Sequence, residues 1–211
     1  MMDGGLARRA WLAAVSLAGM GLSAATSAAE DLQRLAQWDF ARPGADRPWR
    51  TTGQPASAAK ARIDGGLLAL DAQVYDTPAG QPACPLAAAE VVLGDARLRK
   101  GQFSRLAIDI EVKRWALGLG RFDDDVPRLE LVYRGQRHQL GLSGFKAMPG
   151  TVRVEWTAAA GLVASYDGVR SARPGKATPD AGPPLLRLWI DGCSEGMAQS
   201  LRIARITLWG R

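Results

Sequence analysis

The sequence predicts an all-β protein, an antiparallel sandwich or barrel. Three observations carry that prediction. Short runs in which apolar and polar residues alternate recur along the chain after residue 30. Gly, Pro and Asp separate these runs at short intervals. Apolar spacing of three and four, which a surface helix requires, is nearly absent from the same region. Many short strands without a helix of useful length leave a sandwich or a barrel as the architectures that can bury a core.

In chain order, strands are expected at QWDFA (37–41), GLLALDA (66–72), AAEVVL (88–93), FSRLAIDIEVKRW (103–115), RLELVYR (128–134), QRHQLGL (136–142), TVRVEWT (151–157), GLVASYD (161–167), LLRLWI (185–190) and SLRIARITLW (200–209). Arg134–Gly135 closes a hairpin between two of them. VEWTAAAGLVASYDG folds at Ala158–Gly161 and turns again at Asp167–Gly168. The last strand changes phase, since Leu201 and Ile203 share one parity and Ile206 and Leu208 the other. A bulge near Ala204–Arg205 accounts for that. RSARPGKATPDAGPP (170–184) is expected to be an irregular exposed loop because of its Pro and Gly content.

The N-terminus reads as a leader outside the fold. Arg8 and Arg9 precede WLAAVSLAGMGLSAA, and small residues end at Ala28 and Ala29. A charged start, a short apolar core and a small-residue cleavage region form a secretory signal (1–29), too short for a spanning helix. RRAWL also resembles a twin-arginine signal, and both export routes stay open. Residues 30–211 are then one exported domain, periplasmic or secreted, with no further run of spanning length. The chain holds 27 basic and 21 acidic residues, and Arg8, Arg9 and Asp3 alone fall in the leader. The positive excess is scattered singly among acids, whereas nucleic-acid binding calls for a concentrated stripe. Acidic polysaccharide or an anionic surface remains a possible attractant. Cys84 and Cys193, an even pair in an exported chain, read as one disulfide. By loop entropy it would stabilise the fold by about 4–5 kcal/mol.

LAIDIEVKRW (106–115) poses the functional question. Leu106, Ile108, Ile110 and Val112 point one way from a strand, and Asp109, Glu111 and Lys113 the other. Two carboxylates on one face read either as half of a sugar-cleaving pair or as the wet side of a sheet. Arg153 and Glu155 would join Asp109 and Glu111 in one charged patch if their strands were neighbours. That patch reads as a salt-bridge lattice or as a glycan-binding surface. Trp115 and Trp189 are the stacking candidates: Trp115 shares the parity of the polar face, and Trp189 that of Arg187. Trp156, in phase with Val152 and Val154, is expected in the core. FDDDVP (122–127) reads as an acidic turn or a calcium loop around Asp123–Asp125. His138, the only histidine, shares the face of Leu140 and Leu142 and is expected to be packed. No zinc spacing, phosphate loop or nucleophile elbow occurs, and nothing calls for a metal or cofactor.

The order of these pieces resembles the concanavalin A-like lectin/glucanase superfamily of jelly-roll sandwiches, laminin-G-like domains among them. The resembling residues are WDF (38–40) with PW (48–49), IDGGLLALD (63–71), FSRLAIDIEVKRW, VRVEWTAAAGLVASYDGVR (152–170) and LRIARITLWG (201–210). The resemblance implies a jelly-roll β-sandwich of about ten to twelve strands whose last strand runs beside the first. Retaining glucanases of that superfamily carry Glu-x-Asp-x-Glu on one strand face. Here Ala107, Asp109 and Glu111 occupy those positions, so the nucleophile is missing. With the expected export, the resemblance and the incomplete catalytic set imply non-catalytic binding of carbohydrate, a cell-envelope or extracellular polysaccharide, and strand parity gives Asp109, Glu111, Trp115, Arg153, Glu155, Arg187 and Trp189 as the candidate binding residues. A glycoside hydrolase or polysaccharide lyase of the same fold, or an envelope assembly protein that binds protein partners, are the alternatives. Neither nucleic acid nor stable membrane insertion is expected.

Overall fold

Alternating sequence becomes strand nearly everywhere it was read. The computed structural model describes residues 31–74, 84–117, 126–142, 149–166, 169–170, 176–192 and 198–211. Its strands are β1 (Gln33–Asp39), β2 (Trp49–Gln54), β3 (Ala59–Asp64), β4 (Leu67–Gln73), β5 (Leu86–Val92), β6 (Arg105–Leu117) and β7 (Arg128–Tyr133). They continue as β8 (Gln136–Gly141), β9 (Gly150–Thr157), β10 (Gly161–Tyr166), β11 (Val169–Arg170), β12 (Lys176–Pro179), β13 (Leu185–Asp191) and β14 (Ala198–Gly210). A single helical turn, α1 (Ala96–Arg99), is capped by Asp95, whose carboxylate accepts from the backbone N–H groups of Arg97 and Leu98.

Two antiparallel sheets make a jelly-roll sandwich. The eight-stranded sheet runs β11-β10-β9-β6-β14-β4-β3, with β1 also on β14. The six-stranded sheet runs β12-β8-β7-β13-β5-β2. The expected adjacency of first and last strands is present, with Trp38 opposite Ile206 and Asp39 opposite Arg205. Leu32–Arg211 form one compact unit.

Four strands escaped the alternation rule for a common reason. β2, β3, β11 and β12 lie at sheet edges, where one flank meets solvent and the apolar signal thins. All four residues of β12 are exposed. The stretch expected to be irregular thus contains Lys176–Pro179 as an edge strand and begins at the end of β11. Its proline sits at the strand end, as the missing N–H requires. The Arg134–Gly135 hairpin forms with φ of 53° and 70°, which a two-residue primed turn demands. The turn at Asp167–Gly168, the acidic run Asp123–Asp125 and Cys193 lie outside the described residues. Cys84, just ahead of β5, is not a free thiol.

Both 13-residue strands carry bulges. Between β6 and β14 the register skips Lys113 on one strand and Ala204 on the other. The predicted bulge near Ala204–Arg205 is therefore present, and a second, facing one was not legible. Along β14 this keeps Leu201, Ile203, Ile206 and Leu208 all buried despite their change of parity.

The core lies between the sheets and is tied by aromatic contacts that cross it. At one end Trp38 of β1 meets Trp49 of β2 edge-on, with ring centres 5.5 Å apart. At the other, Trp156 of β9 meets Tyr133 of β7 edge-on at 4.7 Å. Trp156 also donates its indole N–H to His138 Nε2 of β8 at 3.0 Å, so one hydrogen bond bridges the two sheets. The Tyr133 hydroxyl accepts from the Phe103 N–H and donates to the Phe103 carbonyl. Gly53 is obligatory, because a Cβ there would collide with the Ala59 carbonyl.

His138 is 4% exposed, and its Nδ1 has no partner among the described residues. Burial holds its pKa below the ordinary imidazole value. Because the native pKa is depressed, the unfolded chain binds the proton more readily below its own value of about 6.5. Stability is therefore full above that pH and falls as the solution is acidified. Thermal unfolding followed by circular dichroism between pH 8 and pH 5 should show that decline in the parent. His138→Gln should show a flatter profile; an equal slope in both would clear His138 as the cause. Leu188→Ala, at a fully buried position facing the core, should cost about 2–5 kcal/mol in denaturant unfolding.

Candidate functional site

The sandwich offers two outer faces, and the candidate residues divide between them. On the eight-stranded sheet β6 lies beside β9, with Asp109 opposite Arg153 and Ala107 opposite Glu155. Asp109, Glu111, Arg153 and Glu155 are thus gathered on one face. Arg105 and Arg153 reach Glu155 Oε1 at 2.8 and 3.1 Å. Asp109 accepts from the Trp209 indole N–H at 2.7 Å and lies 3.7 Å from Arg153. Glu111 holds Lys113 at 2.6 Å and Arg205 at 3.8 Å. Arg205 continues to Asp39, and farther along Arg202 and Arg62 share Asp71. This face is a lattice in which each of these carboxylates already has a cation.

Two details of this face bear on chemistry. Ala107, in the position of a glucanase nucleophile, is fully buried between Glu155 and Trp209 of the neighbouring strands. Trp115 does not belong to the face at all. The bulge at Lys113 reverses its parity, so Trp115 pairs with the buried Leu201 and packs against the core. Period-two counting past a bulge assigns every later residue to the wrong side. Trp209, whose orientation hinged on the other bulge, is the partly exposed aromatic that replaces it.

The outer face of the six-stranded sheet is built differently. Cross-strand registers align one polar residue from every strand: Arg50, Glu90, Arg187, Glu130, Gln139 and Lys176. At about 4.8 Å between strands the row spans about 24 Å. On one side runs Thr52, Ala88, Trp189, Arg128 and Gly141. On the other runs Val92, Leu185, Val132, Arg137 and Thr178. A polar line therefore crosses a partly apolar floor, whose Ala88, Val132 and Trp189 are buried and whose Val92 is half exposed. That mixture suits a ligand with both apolar and hydroxylated faces.

Polar groups along this row are unevenly satisfied. Glu130, 3% exposed, accepts from Gln139 Nε2 at 2.7 Å and lies 3.8 Å from Arg137. Arg137 is bound firmly by Asp180 at 2.7 Å; the Gly182 N–H first, and then Arg137, hold the Asp180 carboxyl below its ordinary pKa. Arg187 is held more loosely: it is paired with Glu90, whose Oε2 is 3.9 Å from Nε, and that buried Nε has no hydrogen-bond partner among the described residues. Asp191 Oδ1 is likewise buried without a hydrogen bond, with Arg128 Nε 3.5 Å away.

Trp189 shares the outward parity of Arg187, as expected, yet it is not an open stacking platform. Only 7% of it is exposed, its N–H is directed to Asp191 Oδ2 at 3.3 Å, and the Arg187 guanidinium lies 5.7 Å from its ring centre. A ring under a guanidinium supports that cation rather than a sugar. Glu90, Glu130, Arg128, Arg50 and Gln139 were not read as site residues. The signal that could have found Glu130 is its parity with Arg128 in RLELVYR; its pairing with Arg187 needed the sheet order.

No family model and no curated protein sequence matches the chain. Among solved structures it is similar to a sialidase at 14% identity and a TM-score of 0.48, covering 82% of this chain and 18% of that one. It is also similar to the VIP36 exoplasmic/lumenal domain in a Ca2+/Man3GlcNAc-bound form, at 6% identity and a TM-score of 0.43, covering 85% and 90%. A third is the mannan-recognising carbohydrate-binding module TmCBM27, at 13% identity and 0.34, covering 85% and 98%. These likenesses concern the fold.

The lattice of the eight-stranded face consists of part-exposed pairs, each worth little. Asp109→Ala and Glu111→Ala should each cost about 1 kcal/mol or less in denaturant unfolding. A markedly larger loss would mean that the lattice holds the sheet together.

Proposed function

We propose that this protein binds carbohydrate without cleaving it, and that the outer face of the six-stranded sheet is the binding surface. The observation that carries the reading is the row Arg50–Glu90–Arg187–Glu130–Gln139–Lys176 set across a partly apolar floor. Its length suits an extended chain of several sugar rings. Its amide, guanidinium and carboxylate groups supply both donors and acceptors for hydroxyls. The opposite face is the poorer surface, because Asp109, Glu111, Arg153 and Glu155 are all paired there, whereas Arg50 and Lys176 at the ends of the row stand in no ion pair among the described residues.

The leader-like N-terminus supports export to the periplasm or beyond, and with it a Cys84–Cys193 disulfide and a cell-envelope or extracellular polysaccharide as ligand. Hydrolysis at Asp109 and Glu111 has less support, because a buried methyl group stands where a nucleophile is needed.

Affinity electrophoresis of residues 30–211 through gels containing a panel of neutral and acidic polysaccharides tests the reading. Retardation should occur in at least one gel, without new reducing ends or unsaturated sugars. The double substitution Arg187→Ala/Gln139→Ala should weaken it by about tenfold or more, whereas Arg153→Ala, on the other face, should leave it unchanged. Retardation abolished by Arg153→Ala and not by the double variant would move the site to the eight-stranded face. Release of cleaved sugar would make the protein an enzyme.

A further inference from the structure

We infer that the ligand of the six-stranded face carries a carboxylate, that is, a polysaccharide containing uronic acid, and that Arg187 receives it. This inference rests on the reading of that face as the binding surface. It comes from the way Arg187 is held. Its guanidinium lies within cation–π range of the Trp189 ring, 5.7 Å from the ring centre. Its side chain is 31% exposed, so part of it other than the buried Nε meets solvent. Its buried Nε–H has no acceptor, and Glu90 at 3.9 Å stands beyond hydrogen-bond range. Three arginines of the fold are held more closely. Arg105, Arg137 and Arg202 each meet a carboxylate at 2.7–2.8 Å.

A partly buried guanidinium wants two things, acceptors in the plane of its fork and a neutralising charge. A sugar hydroxyl supplies one acceptor and no charge. A carboxylate supplies two coplanar acceptors and the charge, and such charge-assisted pairs are about twice as strong as neutral ones. Neighbouring acids do not forbid it. Glu130 is engaged by Gln139 and Arg137, Asp191 by Arg128 and Trp189, and Glu90 stands between Arg50 and Arg187 in the row. With Lys176 closing the row, its cations outnumber its acids. An incoming carboxylate over Trp189 would place its sugar ring along the floor formed by Ala88 and Thr52 or by Leu185 and Val132.

Gels containing polygalacturonate at graded methyl esterification, alginate, hyaluronate and a neutral mannan test this on residues 30–211, with poly-glutamate as a polyanion without sugar. Esterification removes the carboxylate charge and keeps the backbone. Retardation by at least one acidic glycan should exceed that by mannan, and where polygalacturonate is the ligand it should fall with esterification. Arg187→Gln should weaken it by about tenfold, Arg187→Lys should restore part of it, and Arg205→Gln on the opposite face should leave it intact. Equal retardation by neutral and acidic glycans overturns the carboxylate inference and leaves the carbohydrate reading standing. No retardation by any glycan overturns both. Equal retardation by poly-glutamate, insensitive to Arg187→Gln, reduces the effect to general charge attraction and overturns the inference as well. Unchanged thermal unfolding of the two Arg187 variants shows that any loss is one of binding.

Discussion

The antiparallel pairing of β6 with β14 is the constraint on which the rest of the sandwich depends. These are the two longest strands, and they pair along nearly their whole length. β14 has to serve two partners on its other side, β4 through Ile203 and β1 from Arg205. The skipped Ala204 falls at that changeover, and the skipped Lys113 on β6 faces it. A bulge in one strand alone would shift the register of everything beyond it. Two facing bulges restore the register and let both halves of β14 turn their apolar residues inward. The same device carries Trp115 into the core and leaves Trp209 on the surface.

From that pair the two outer faces acquire different physics. The eight-stranded face is covered by arginine and carboxylate partners within reach of one another. It gains solubility and modest stability, and it has little unsatisfied valence to give a ligand. The six-stranded face has fewer charges on a more apolar ground, and two of its buried polar atoms, Arg187 Nε and Asp191 Oδ1, lack hydrogen bonds among the described residues. Buried polar groups without partners are costly in a fold.

Inside the sandwich the polar atoms are arranged to tie the sheets. The Trp156–His138 hydrogen bond and the Tyr133 contact with the Phe103 backbone run across or along the seam between layers. Both fix a relative placement of strands that apolar packing alone would leave free to slide. The Arg134 guanidinium lies 5.9 and 5.7 Å from the Tyr133 and Trp156 ring centres, closing that end with a cation over two aromatic rings.

Local alternation was enough to determine the class of fold, most strands, the Arg134–Gly135 hairpin, the burial of Trp156 and His138, and the phase change in β14. Each follows from residues adjacent in sequence, since side-chain direction repeats every two positions and turns have local chemistry. The edge strands β2, β3, β11 and β12 were illegible because a strand with little to bury has no apolar period to read. The facing of Trp115 depended on a bulge set by a partner strand remote in sequence. The covering of Trp189 by Arg187 depended on side-chain packing that parity does not report. The polar row was decided by tertiary structure alone. Arg50, Glu90, Arg187, Glu130, Gln139 and Lys176 come from six strands, and no spacing within one strand predicts which of them become neighbours. The sequence determined which way each side chain points; the order and register of the strands decided what it points beside.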